Sequence, residues 1–232
     1  MIRISSIIFV LLLSQSLLSQ MWQAVDTQTI SDIKGTREIT PSRYTIHKLD
    51  TTLMRALLEN LPQEDAVPIR ESQAIMHVPM PGGGTEAFHV VAYRMMEEGL
   101  QEKHPSFRTV RGISVNHPGK RLRMDWTGRG FRAMVTDRSG RVFIDPVFRG
   151  NKMYYQSYHK SDFPESARFT CEVEDPGTGR AIPPGQRSGD CVFRSYRLAV
   201  ATTGEYANFF GATSSADESI VLSEVVTAAN RV

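Results

Sequence analysis

Imidazole and thiol side chains carry much of the metal and nucleophile chemistry open to a protein, and this sequence has few of them. Its six histidines are His47, His77, His89, His104, His117 and His159, and its two cysteines are Cys171 and Cys191. A zinc site that also supplies a general base takes two histidines four apart on a helix, with a glutamate beside the first. No two of the six histidines are four apart, so no catalytic residue is assigned. His77 and His89 flank a glycine turn, and a hairpin centred on Gly83 sets them opposite each other. Two cross-strand imidazoles could begin a metal site, but no third ligand stands at a suitable spacing, and a solvated pair is the expectation. The even cysteine count points to a Cys171–Cys191 disulfide if the chain is exported. Closing that loop is worth roughly 3 kcal/mol in the chain-entropy account.

Strands and hairpins must position these side chains. Arg43 to Leu49 alternates and reads as a strand. Asp50 or Thr51 can cap a helix with Leu53, Met54, Leu57, Leu58 and Leu61 on one face, ended by Pro62. Ala74 to Met80 and Thr85 to Tyr93 flank Pro81-Gly82-Gly83-Gly84, which places Val78 opposite Phe88 and Met76 opposite Val90. Met95 to Lys103 reads as a short helix stopped by His104-Pro105. Phe107 to Val115 precedes a His117-Pro118-Gly119 turn. In Arg121 to Thr127, Leu122, Met124 and Trp126 then alternate with Arg121, Arg123 and Asp125, giving a half-buried strand with a charged outer face. Phe131 to Asp137 and Arg141 to Asp145 form a hairpin over Arg138-Ser139-Gly140, and Met153 to Tyr158 adds an aromatic strand. About eight strands and two helices before residue 160 predict a strand-rich domain that is α+β or β-sandwich-like, with α+β the class assigned. Met21 to Thr40 is polar with little periodicity, so its start is expected to be poorly ordered.

Proline, glycine and mixed charge mark residues 161–193 as a linker or long surface loop. Val192 to Thr202 then reads as a central strand. Ser215-Ala216-Asp217-Glu218 reads as a capping box. It opens a helix in which Val221, Val225, Ala228 or Ala229, and Val232 recur at helical spacing without a stop signal. A strand and a helix of about 40 residues cannot bury a core unaided, so a second domain is expected to continue past Val232.

At the other end, Arg3 precedes an apolar run from Ile7 to Leu13, followed by Ser14, Ser16 and Ser19. That is the layout of a cleavable signal peptide over residues 1–20, too short for the roughly 20 apolar residues of a membrane span. Hydrophobic content of 41% and charged content of 22% are ordinary for a folded chain. A net charge of +2 with interspersed signs offers no case for a nucleic-acid partner, or for a membrane partner once the signal is removed.

The order of segments resembles the N-terminal part of bacterial secreted zinc metalloproteases of the reprolysin type, within the metzincins. The residues that carry the resemblance include Ile39-Thr40-Pro41, Leu49 to Leu53, Ile75 to Pro79 with its glycine turn, and His104 to Thr109 with Arg111-Gly112. Gly130 to Met134, Phe143 to Pro146, Tyr154-Tyr155 and Ser161 to Phe163 follow. Arg197 to Tyr206 looks like the first strand of such a protease domain, and Ala228 to Val232 like the start of its first-helix signature. The resemblance implies a signal peptide at 1–20, a β-rich propeptide at 21–160, a linker at 161–193 and the start of an α/β protease domain at 194–232. It also implies zinc for the complete enzyme, with the zinc helix beyond Val232, so that these residues alone should be inactive. Cys171 could then serve as a zinc-blocking thiol, although it lacks the Pro-Arg-Cys-Gly surroundings of the best-known form. Arg180 and Arg187 are possible processing sites.

Two functions follow. In the first, the propeptide assists folding and keeps its own protease domain, a partner within the same chain, away from protein or peptide substrates. Arg121, Arg123, Arg141 and the tyrosines near Tyr154 are candidates for the covering face, or else the solvated sides of half-buried strands. In the second, the chain is a complete secreted β-rich binding or adhesion module without catalysis, holding a ligand on Trp126 and Tyr154.

Overall fold

Leu122, Met124 and Trp126 line the interior of a rolled antiparallel sheet in the computed structural model, which describes residues 21–163 and 198–232. The strands are β1 (Trp22–Val25), β2 (Thr45–Leu49), β3 (Ile75–Pro79), β4 (Thr85–Tyr93), β5 (Arg108–Ser114), β6 (Arg121–Thr127), β7 (Gly130–Asp137), β8 (Gly140–Pro146) and β9 (Tyr154–His159). Their order is β1-β2-β9-β8-β7-β6-β5-β4-β3, antiparallel throughout. The two ends of the sheet meet, where Trp22 Nε1 donates to the His77 carbonyl at 2.8 Å. The sheet is therefore nearly closed, and with four short helices among the described residues the architecture is strand-rich α+β.

Helix α1 (Thr51–Glu59) begins where Asp50 Oδ1 accepts the Thr52 and Leu53 amides at 2.9 and 3.0 Å. Its Met54 and Leu58, with Leu61 just beyond, join the interior of the sheet. Trp22, Phe131 and Tyr155 pack edge to face there, with ring centroids 5.1 to 5.8 Å apart. A smaller cluster of Ile30, Ile46, Val147 and Phe148 holds the N-terminal segment against the sheet's other face. Helices α2 (Glu98–Lys103), α3 (Gly204–Phe209) and α4 (Glu218–Asn230) complete the fold.

Several expectations are corrected. Trp22–Val25, expected to be poorly ordered, is a ninth strand, because the indole closes the sheet end to end. The β3–β4 hairpin is centred one residue earlier than expected, because Met80 N–H donates to the Gly84 carbonyl at 3.1 Å and Gly83 N–H to the Met80 carbonyl at 3.0 Å. Gly83 and Gly84 supply the positive φ values of 90° and 69° that this turn needs. Met76 consequently faces Phe88, Val78 faces Glu86, and His77 lies opposite Ala87 rather than His89. A slip of two keeps the same side chains inward.

Leu198 to Thr203 forms no strand; no neighbouring strand pairs with it among the described residues, and Leu198 is 78% exposed. The chain instead turns into α3 at Gly204, capped by the Thr203 side chain. The capping box before α4 is Ser214 with Asp217, one residue ahead of the expected position. Helix α4 runs to Asn230, with Arg231 as its C-cap. Asp162, within the span expected as linker, is buried and takes Arg43 Nε at 2.9 Å, which ties it to the residues before β2. Residues 1–20, Cys171, Cys191, Arg180 and Arg187 lie outside the described residues.

Candidate functional site

Period-two alternation makes one polar row across the outer face of the sheet. Cross-strand pairing joins Tyr93 to Thr109, Thr109 to Asp125 and Asp125 to Arg132. Asp145, paired with Gln156, continues the row on β8 and β9. Gln156 is covered by the N-terminal segment, where Arg37 donates to its Oε1 at 2.9 Å and its amide donates to the Ile39 carbonyl at 2.8 Å. The centre of the row is covered by α4.

The face that α4 turns to the sheet is polar. Ser223, Glu224, Thr227 and Asn230 are buried with Val226, whereas Val221, Val225 and Ala229 are only half-buried and Ala228 and Val232 are exposed. The expected apolar stripe is thus corrected, because the surface it meets is charged. Glu224 accepts Arg129 Nε at 2.9 Å and both arms of Arg132, one of them at 3.0 Å. Thr227 donates to Asp125 Oδ2 at 2.7 Å and Asn230 Nδ2 to Asp125 Oδ1 at 3.2 Å, while the Tyr93 hydroxyl donates to Asn230 Oδ1. Arg231 Nη2 donates to Asp145 Oδ1 at 2.6 Å, and the Tyr158 hydroxyl to Oδ2 of the same carboxylate at 2.9 Å.

The seam extends to α3. Arg149 pairs with Glu38 and donates to the Phe209 carbonyl at 2.8 Å, and Arg129 Nη2 lies 3.4 Å from Glu38. Four guanidinium groups (Arg129, Arg132, Arg149, Arg231) thus meet four carboxyl groups (Glu38, Asp125, Asp145, Glu224). Burial pushes the Asp125 carboxyl up to about 6, against the opposing pull of Arg231, Thr227, Asn230 and Arg132. Burial would lower Arg132, but the hydrogen bond and charge of Glu224 outweigh it and hold the guanidinium above its ordinary value. Burial, with Asp145 beside it, raises the Tyr158 phenol.

The arrangement joins α4 to the sheet through buried hydrogen bonds and ion pairs. Among the described residues no group of three or more His, Cys, Asp or Glu side chains could hold a metal.

The structure disperses the side chains singled out by type. His47 is buried against Thr45, with its ring lowered in pKa by burial. His89 binds the Ser72 carbonyl at 2.7 Å, His104 packs on Phe107, and His77 and His159 are exposed. His117 meets Glu86 at 2.8 Å. Trp126 is 6% exposed inside the sheet, with the Arg55 guanidinium 5.8 Å over its ring, and the half-buried Tyr154 packs on the second cluster. Arg121 and Arg141 are exposed, and Arg123 stacks over Tyr93 at 5.3 Å. Asp125, expected on a charged outer face, is on that face but buried under α4. Sequence reasoning passed over Arg129, Arg132, Asp145 and Glu224. A readable signal existed: Glu224, Thr227, Asn230 and Arg231 recur at helical spacing as a polar stripe.

In comparisons with known proteins, the chain matches no family model, no curated protein and no solved structure.

Proposed function

We propose that this chain is the N-terminal part of an exported zinc metalloendopeptidase precursor, in which the β domain holds the first helix of the protease domain through the buried charged seam. The resemblance in segment order supplies the identity of the parts. The observation that carries the reading is that α4, where that resemblance puts the start of the protease domain, docks on the sheet with Glu224, Thr227, Asn230 and Arg231 facing buried partners.

The physical role is templating and latency. Salt bridges buried in this way specify register more than they stabilise, since desolvation offsets much of the Coulomb gain. A charged sheet surface accepts α4 in one position only, because any slip leaves a buried guanidinium or carboxylate unpaired. Tethering keeps the β domain at high effective concentration against the domain it shields. The resemblance implies that the complete enzyme carries zinc, and the role assigned to residues 21–163 is to hold and shield.

Translation of the coding sequence past Val232 tests the identity. It should reveal H-E-x-x-H-x-x-G-x-x-H within roughly 150 residues, about a domain's length. A stop codon directly after Val232 would favour the binding module instead.

A further inference from the structure

We infer that docking of α4 on the sheet is linked to proton uptake by Asp125, so that the seam tightens in mildly acidic surroundings and loosens as the pH rises through neutrality. The inference rests on the reading that the β domain must both hold α4 and let it go.

Asp125 differs from the other carboxylates of the seam in its partners. Glu224 is paired with Arg129 and Arg132, Asp145 with Arg231, and Glu38 with Arg149 and Arg129. Asp125 is 1% exposed, yet its hydrogen bonds come from the neutral Thr227 hydroxyl and Asn230 amide, both on α4. The charged and titratable groups around it are Arg132 on β7, Arg231 after α4, and Tyr93 on β4, with Arg123 of β6 stacked on that tyrosine and Glu64 near it. The nearest guanidinium groups are committed elsewhere, Arg132 to Glu224 and Arg231 to Asp145. A carboxylate buried among neutral donors is costly to keep ionised, whereas a protonated one keeps these contacts and gains a donor.

Two of the groups that seal Asp125 from water, Thr227 and Asn230, belong to the helix itself. Undocking α4 therefore returns the carboxyl to water and to its ordinary value of 3.8, against about 6 when docked. Because the docked value is the higher one, docking takes up a proton. Its advantage is complete below the ordinary value and disappears as the pH rises through the docked value. Those two values make the docking equilibrium roughly tenfold more favourable at pH 5 than at pH 7.5.

Hydrogen exchange of the α4 amides in the whole chain, corrected for the intrinsic pH dependence of exchange, tests this. Protection over residues 218–230 should fall roughly tenfold from pH 5 to pH 7.5 relative to the strands. Asp125→Asn should keep the acid level of protection at pH 7.5 and lose the pH dependence. The carboxyl 13C titration of Asp125 in the unaltered chain needs no variant and should have its midpoint near 6. A midpoint near 3.8, a flat wild-type profile, or an Asp125→Asn profile with the wild-type slope would each overturn the inference. Protection of α4 that is present but flat removes the proton linkage and leaves the precursor reading standing. An α4 unprotected at every pH overturns the docking on which both rest.

Discussion

Arg132 grips Glu224 with both arms of its guanidinium although 92 positions separate them in the sequence. Both residues are more than nine-tenths buried. Breaking such a pair by removing one charge costs about 3 kcal/mol or more, because the other charge stays buried. Glu224→Gln should lower stability by about that amount in urea unfolding. A double-mutant cycle with Arg132→Met should return a coupling above about 1 kcal/mol. Additive effects would mean the pair is solvated and the seam weak.

Trp22 gives the sheet its closure. Trp22→Phe keeps most of the buried ring but loses the bond to the His77 carbonyl, and should cost about 1 kcal/mol. Trp22→Ala also empties the space beside Phe131 and Tyr155 and should cost about 3–5 kcal/mol. Thermal unfolding of the two variants checks both figures; unchanged stability in Trp22→Ala would mean that β1 is not part of the folded unit.

That strand also shows where the sequence stopped being legible. β6 announces itself because three large apolar side chains alternate with charges. β1 is four residues long with one buried side chain, and what holds it is its pairing with β2 and the indole's bond to the remote His77 carbonyl. The β3–β4 hairpin was legible as a hairpin, but four consecutive turn formers leave the centre of the turn to hydrogen bonding at Met80 and Gly84. Helix α4 was legible in position and not in facing. Apolar periodicity assumes an apolar partner, and the surface under Glu224 and Thr227 carries Arg132 and Asp125. The candidate site was only half legible: the polar stripe of α4 stands in the sequence, but its partner stripe on the sheet meets it only in the fold.

Gly130 opens β7 at φ 99°, and a Cβ there would come within 2.7 Å of the Tyr155 hydroxyl. That hydroxyl accepts the Phe131 amide and donates to the Lys152 carbonyl, so it cannot move aside freely. Gly130→Ala should cost about 2 kcal/mol or more, read in the same unfolding assay. A neutral outcome would mean that the β6–β7 turn relaxes without disturbing Tyr155.

Glu86 contributes to the acid limb of stability. Burial alone would raise its carboxyl, but hydrogen bonds from His117, Ser114 and Lys120 outweigh it and bring the value down to about 2. A lowered folded value means the contribution is present above the ordinary value of 4.5 and lost as the pH falls toward 2. Glu86→Gln should therefore be less stable than the parent at pH 7 and show a flatter loss of stability between pH 4.5 and 2. Parallel acid-unfolding curves would contradict this assignment.

Peptidase activity of the proposed precursor, assayed before and after removal of residues 21–163 and with a zinc chelator, bears most directly on the precursor reading. The expected result is a latent protein that becomes active when the β domain is removed and loses that activity to the chelator. Equal activity with the β domain still attached, or no chelator-sensitive activity after its removal, would contradict it.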